Sequence, residues 1–337
     1  MTDGREREGL GGRGGLARLL AGVLVSAFFV WATLRGINLG EVGEALRRVN
    51  PGGLAVAVAL VALELVLRGR RWQGLLTPLA RVSLRQTTAY LAIGYFANSM
   101  LPARLGDVAR ALLAGQTFGI GRLSVLGTIV IERLADGLVI LGVVVVLGLT
   151  VAGGASLAST ALWLSALAVV GVIGLALGIT WVRRPGGGTF RVRLRSLLER
   201  VLLGAAALRS PRLLGLTALL TGAAFATAIG MFALVAAAAG VEFTLPQSAL
   251  VMGGLALSTS IPAAPGSIGT YEFVGLTIMT ALGVTPETAL AIVVLTHLVA
   301  TLPVALAGLV TAWQLHFRVS DITHDATPRH LADEGTG

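Results

Sequence analysis

Glu132, Arg133 and Asp136 stand together in Glu132-Arg133-Leu134-Ala135-Asp136, just inside an apolar stretch spanning 123–149. On a helix, Arg133 and Asp136 are three positions apart and Glu132 and Asp136 four, so both carboxylates share one face. One guanidinium against two carboxylates leaves a residual negative charge unless another arginine approaches, and Arg104 and Arg110 are the nearby candidates. An ionisable group at the centre of a bilayer costs about 2.5–3.5 kcal/mol on insertion scales, so it needs a partner or a water-filled site. Such a cluster can receive a charged ligand, or it can be an interfacial ion-pair cluster that sets helix depth.

Other polar residues lie in apolar surroundings. Tyr271-Glu272 offers a phenol and a carboxylate with no basic neighbour in sequence. His297 is alone in a long apolar run and reads as a core histidine bonded to a backbone carbonyl rather than as a proton relay. Glu64 and Arg68 form a favourable i, i+4 pair that reads as structural, extended by Arg70-Arg71-Trp72 into an interfacial anchor. Ser267, in Pro265-Gly266-Ser267-Ile268-Gly269, invites comparison with an intramembrane serine protease, with His297 on a later span. The match is poor, because Pro265 stands where a nucleophile motif needs glycine. The absence of cysteine excludes thiol catalysis and cysteine-ligated metal. His324 and His330 have no carboxylate pattern around them, and there is no Walker loop or dinucleotide fingerprint. No metal and no cofactor are expected, and transport is favoured over chemistry.

The elements that must position these residues are membrane helices. Of 337 residues, 55% are hydrophobic and 13% charged, against about a quarter charged in a soluble domain. All 26 basic residues are arginine, and the net charge of +9 would suggest nucleic acid in a soluble protein. Here the arginines lie in loops between apolar runs, which points to anionic lipid headgroups and not to nucleic acid. A crossing helix needs roughly 20 apolar residues. Uninterrupted candidates lie near 17–36, 52–69, 123–149, 157–182, 213–240 and 288–313, giving six spans. Two more stretches, 86–116 and 247–285, are broken in the middle by Pro and Gly. The loops at 68–85 and 183–212 carry five and eight arginines, which places both in the cytoplasm by the positive-inside rule. The charge clues are all satisfied if the broken stretches are re-entrant hairpins and both termini are cytoplasmic. The polar ends, 1–16 and 320–337, read as disordered.

The two breaks match. The first is Asn98-Ser99-Met100-Leu101-Pro102-Ala103-Arg104-Leu105-Gly106-Asp107; the second is Ser258-Thr259-Ser260-Ile261-Pro262-Ala263-Ala264-Pro265-Gly266-Ser267. Each follows two spans and precedes another. The chain therefore reads as two copies of one unit, over 17–149 and 157–313, the second inserted upside down. Paired Pro/Gly-interrupted segments at matching positions of two halves point to a transporter's central site, since the freed backbone groups must line a cavity or be buried in protein. The fold class is an all-α polytopic membrane protein with six full transmembrane helices and two re-entrant hairpins in an inverted repeat.

Three ordered motifs carry a resemblance. Asn98-x-x-Leu101-Pro102-x-Arg104-x-Gly106-Asp107-x-x-Arg110, then Glu132-Arg133-x-x-Asp136, then Pro265-Gly266-Ser267-Ile268-Gly269-Thr270-Tyr271-Glu272 resemble the flippase-like family, the transmembrane region of lysylphosphatidylglycerol synthase/flippase proteins, over about 15–315. The resemblance implies a scaffold that moves anionic or modified phospholipids, or lipid-linked sugars, between leaflets of the plasma membrane. It also implies that Asn98, Arg104, Asp107, Arg110, Glu132, Arg133, Asp136 and Glu272 line the lipid path. The breaks add Pro102, Gly106, Pro262, Pro265, Gly266, Ser267, Gly269 and Tyr271 to the candidate site. No soluble aminoacyl-transferase domain appears within these residues, so synthesis of the modified lipid is not expected of them. The alternatives are a membrane-embedded glycosyl- or acyl-transferase, and a non-catalytic membrane partner of a separately encoded lipid-modifying enzyme.

Overall fold

The computed structural model describes residues 13–101, 105–150, 180–181, 189–259 and 264–315, and every regular element among them is helical. In chain order these are α1 (Arg13–Leu34), α2 (Leu39–Arg47), α3 (Pro51–Leu76), α4 (Leu84–Met100), α5 (Leu105–Phe118), α6 (Arg122–Thr150) and α7 (Thr189–Leu203). A 3-10 turn at Gly204–Arg209, α8 (Pro211–Ala238), α9 (Leu245–Ser258), a second 3-10 turn at Pro265–Ser267, α10 (Thr270–Ala281) and α11 (Pro286–Gln314) follow.

Among the described residues, α3, α8 and α11 are each long and apolar enough to cross a membrane; Gly22–Leu34 and α2, bent by 83°, add a fourth if they form one span. The chain is a membrane protein. The expected span at 123–149 is the continuous α6, whereas the span at 157–182 falls almost wholly outside the described residues, as do most of the two polar ends. The Arg-rich connection at 183–212 is not extended: α7 and the 3-10 turn occupy most of it. It is held on α6, where Ser124 Oγ donates to the Arg200 carbonyl at 3.1 Å.

Each broken stretch is a pair of short helices packed on one another, α4 with α5 and α9 with α10. At 1.5 Å per residue these four helices are about 18–25 Å long, short of the ~30 Å hydrocarbon core. Both hairpins open with the same device. Ser83 Oγ accepts the Gln86 N–H while Gln86 Oε1 accepts the Ser83 N–H; Thr244 and Gln247 repeat the exchange ahead of α9. Two otherwise orphaned amides are satisfied reciprocally each time. Ser83 and Thr244 are separated by the same offset as the two Pro-Ala pairs, to within one residue.

The helices of the two sequence halves interleave. α3 lies along α8, α4 along α11, α6 against α9, and α1 against α10. The main core accordingly draws Val61 from α3, Phe232 from α8, Leu255 from α9, Met279 from α10 and Ile292 from α11. Small residues let backbones meet, as expected where apolar lipid gives helices no hydrophobic reason to associate. A Cβ on Gly106 would lie 1.9 Å from the Gly94 carbonyl oxygen, and one on Gly308 would lie 2.2 Å from that of Ala92. Gly106→Ala is therefore expected to lower the thermal unfolding midpoint of the purified protein in detergent, costing about 1–3 kcal/mol by overpacking. Gly137→Ala, with nothing within 4 Å of its new Cβ, is expected to be neutral or to stabilise by up to about 1 kcal/mol.

Candidate functional site

The carboxylates of Glu132 and Asp136 share one face of α6, and arginines from two other helices close on that face. Arg110 of α5 brings Nη2 to 2.7 Å from Glu132 Oε2, and its guanidinium lies over the Trp72 ring at 4.9 Å. Arg71 of α3 places Nη1 2.5 Å from Asp136 Oδ1 and Nη2 3.5 Å from Glu132 Oε1. The same Nη1 donates to Thr221 Oγ1 of α8 at 2.9 Å. Arg68 bridges Glu64, at 2.8 Å, and Asp136, at 3.2 Å. Arg133 reaches across to Asp107 at 3.0 Å, and Asp107 also lies 3.4 Å from Arg110.

Four carboxylates and four guanidiniums therefore form one network with no net charge. Balance is what burial demands, because desolvating an unpaired charge costs several kcal/mol. Trp72 Nε1 donates to Thr128 Oγ1 at 3.0 Å, fixing α3 against α6 one turn from the charges.

The depth of the network follows from counting along each helix. Leu75, Leu76, Phe118, Val125 and Leu213 share one apolar cluster, so the ends of α3 and α5 and the starts of α6 and α8 lie at one level. From there Arg71, Arg68, Arg110, Asp107, Glu132, Asp136 and Thr221 are each about 8–21 Å away at 1.5 Å per residue. Along all four helices the network thus lies inward of that shared level.

Access is uneven. The side chains of Arg110 and Glu132 are 1% exposed and that of Arg71 2%, but Arg133 is 36% and Asp107 19% exposed. Burial leaves Arg110 Nε and Nη1 without a hydrogen-bond acceptor among the described residues. The accessible edge of the network, Arg133 with Asp107, adjoins the first break. There Asn98 Oδ1 accepts the Gly106 N–H at 2.8 Å, capping the amide end of α5.

The second break has its own polar set. Glu272 Oε1 lies 2.5 Å from His297 Nδ1, and Glu272 Oε2 accepts the Gly269 N–H at 2.6 Å. The Tyr271 ring stacks on His297 with centroids 4.3 Å apart. Ser26 of α1 pins the turn from outside, accepting the Ala264 N–H and donating to the Ile268 carbonyl. Gly266 and Gly269 have φ of 75° and 89°, values that glycine adopts without strain. The 3-10 turn Pro265–Ser267 packs against α4, and a Cβ on Gly266 would come within 4.0 Å of the Ser99 carbonyl oxygen.

Of the residues expected from sequence, Asp107, Arg110, Glu132, Arg133 and Asp136 come together in the network. Asn98 and Gly106 form the cap beside it. Pro265, Gly266, Ser267, Gly269, Tyr271 and Glu272 make up the second break, while Pro102, Arg104 and Pro262 lie outside the described residues. Three readings change. His297 pairs with Glu272 rather than with a backbone carbonyl, so Glu272 does have a basic neighbour, 25 positions away. Arg71 is not an interfacial anchor but is buried at the centre of the network. Glu64 and Arg68 are part of the same network. The signal for this group was present, since 64, 68 and 71 fall on one helical face.

A family profile described as the lysylphosphatidylglycerol synthase transmembrane region matches residues 19–308. The chain is also 26% identical, over 328 residues and 83% of its length, to the Glycosyltransferase AglD of Haloferax volcanii. The match spans about half of that relative, 52% of its length.

Arg110→Met leaves Glu132 with the longer 3.5 Å contact to Arg71 and is expected to destabilise by about 3–5 kcal/mol. The double variant Arg110→Met/Glu132→Leu should recover most of that loss, as read by thermal unfolding in detergent.

Proposed function

The chain belongs to the lysylphosphatidylglycerol synthase transmembrane-region family, and on that premise we propose that it carries lipids with anionic or modified headgroups, or lipid-linked sugars, between membrane leaflets. The observation that supports this best is the accessible edge, at Arg133, of a charge network whose centre is sealed. Arg133 and Asp107 flank the first break, with balanced charges behind them. A headgroup phosphate meeting Arg133 displaces Asp107 toward Arg110, which already lies 3.4 Å away. The exchange therefore strands no buried charge, and the acyl chains remain in lipid.

The proposed architecture is an inverted repeat. Taking α3, α4, α5 and α6 as counterparts of α8, α9, α10 and α11, the packing is reciprocal. The pair α3 and α8 exchanges with itself, α4 on α11 becomes α9 on α6, and α5 on α6 becomes α10 on α11. A pseudo-two-fold axis between α3 and α8 has this signature, and matched capping boxes and breaks agree with it. Both hairpins are re-entrant in this reading, and the arginines at 183–212, with Arg81 and Arg85 in and beside the connection between α3 and α4, favour cytoplasmic termini.

The similarity to a protein named as a glycosyltransferase favours a second reading. The membrane domain then serves a lipid-modifying or sugar-transferring activity, within the bilayer or with a separately encoded partner.

Reconstitution in vesicles with a headgroup-labelled phosphatidylglycerol and a membrane-impermeant quencher separates the two. Transport predicts rapid loss of protection of inner-leaflet label, slowed at least about tenfold by Arg133→Gln, the loss of one charge-assisted contact, with a smaller fall in unfolding midpoint than Arg110→Met gives. An Arg133→Gln rate equal to wild type sinks the site assignment. No translocation, together with turnover of a polyprenyl-phosphate sugar donor, would establish the second reading.

A further inference from the structure

Facing away from the charge network, α3, α4 and α11 line an open cleft of about 460 Å³. Its walls are Leu65 and Val66 of α3, Ala89 and Ala92 of α4, and Ala307 of α11; polar groups come from Arg85, Thr88, Thr311 and Gln314. The close approach of Gly308 to the Ala92 carbonyl shuts the inner end, and that of Gly69 to Thr88 draws α3 against α4. From Ala92 to Arg85 the cleft runs about 10 Å along α4. Its mouth lies where α4 begins and α11 ends.

The charge at the mouth is one-sided. Arg85 is exposed, it is the one ionisable residue among those lining the cleft, and no ion pair to it occurs among the described residues. Deeper in, Thr88 Oγ1 is buried without a hydrogen-bond partner among the described residues. An apolar slot with an unpaired cation at its rim matches an acyl chain that ends in a phosphate, with the chain along α4 and the headgroup on Arg85. A zwitterionic headgroup brings its own cation to the same guanidinium and gains less.

We propose that this cleft is a binding site for an anionic phospholipid taken from the leaflet on the side of the α4 N-terminus. The site is separate from the network, with α3 between them, Leu65 and Val66 on one side and Glu64 and Arg68 on the other. It requires no transport, so it stands or falls independently of the translocation reading.

The test is native mass spectrometry of the full chain in detergent with equal amounts of phosphatidylglycerol and phosphatidylcholine. Wild type should retain phosphatidylglycerol about fivefold over phosphatidylcholine, the preference one arginine gives near a membrane surface. Arg85→Gln should bring the ratio close to one and Arg85→Lys should keep most of it. Thr311→Phe, which fills the cleft, should reduce retention of both lipids, while Arg48→Gln, outside the cleft and paired with Glu44, should change nothing. An unchanged ratio in Arg85→Gln, or undiminished binding in Thr311→Phe, overturns the site and leaves a general lipid annulus.

Discussion

The helices that meet at Arg71, Arg110, Glu132 and Asp136 are bound by a requirement of the bilayer itself. Hydrocarbon does not solvate a guanidinium or a carboxylate, so the charges on α3, α5 and α6 can be buried only with their complements, and for Arg71 and Glu132 every complement arrives from another helix. The cost of any one charge is offset only when all are assembled. Removing a partner therefore does more harm than the pair itself contributes, and the relative depth and rotation of the helices become tied to one another. Thr221 brings α8, from the other sequence half, under the same constraint through Arg71. Trp72 adds a lock of another kind, its ring facing Arg110 and its N–H engaged by Thr128.

The interrupted hairpins answer a second requirement. Where a helix stops inside the protein, its terminal amides need acceptors. At the first break Asn98 reaches over to the start of α5; at the second, Glu272 turns back to Gly269, and Ser26 from α1 holds the turn's backbone. These side chains are spent on the breaks, so Asn98 and Glu272 have structural duties whatever else they do. The acids and bases next to them, Asp107 with Arg133 and Glu272 with His297, are then held at defined positions by capped backbone rather than by loops.

Interleaving explains how two such hairpins come to lie near one another. α4 is seated on α11 and α9 on α6, so neither half forms a closed bundle alone. The second 3-10 turn rests on α4, the helix that leads into the first break.

What the sequence determined by itself is what depends on local chemistry. Apolar runs longer than a bilayer needs, and Pro and Gly in matched breaks, define helices and their interruptions without any distant partner. The shared face of Glu132 and Asp136, and their need of more positive charge, were also legible, because i, i+4 spacing is a property of one helix. Of the arginines that answer that need, Arg110 was among the candidates and Arg71 was not. Arg71 looked like one of several interfacial arginines, and only the packing of α3 along α6 and α8 carries it inside. His297 and Glu272 likewise meet because α11 folds onto α10; in the chain they are 25 residues apart with no periodic relation. Pairs within one helix, such as Glu64 with Arg68, can be read from spacing, but pairs between helices are decided by tertiary packing, because they depend on which helices touch and in what register.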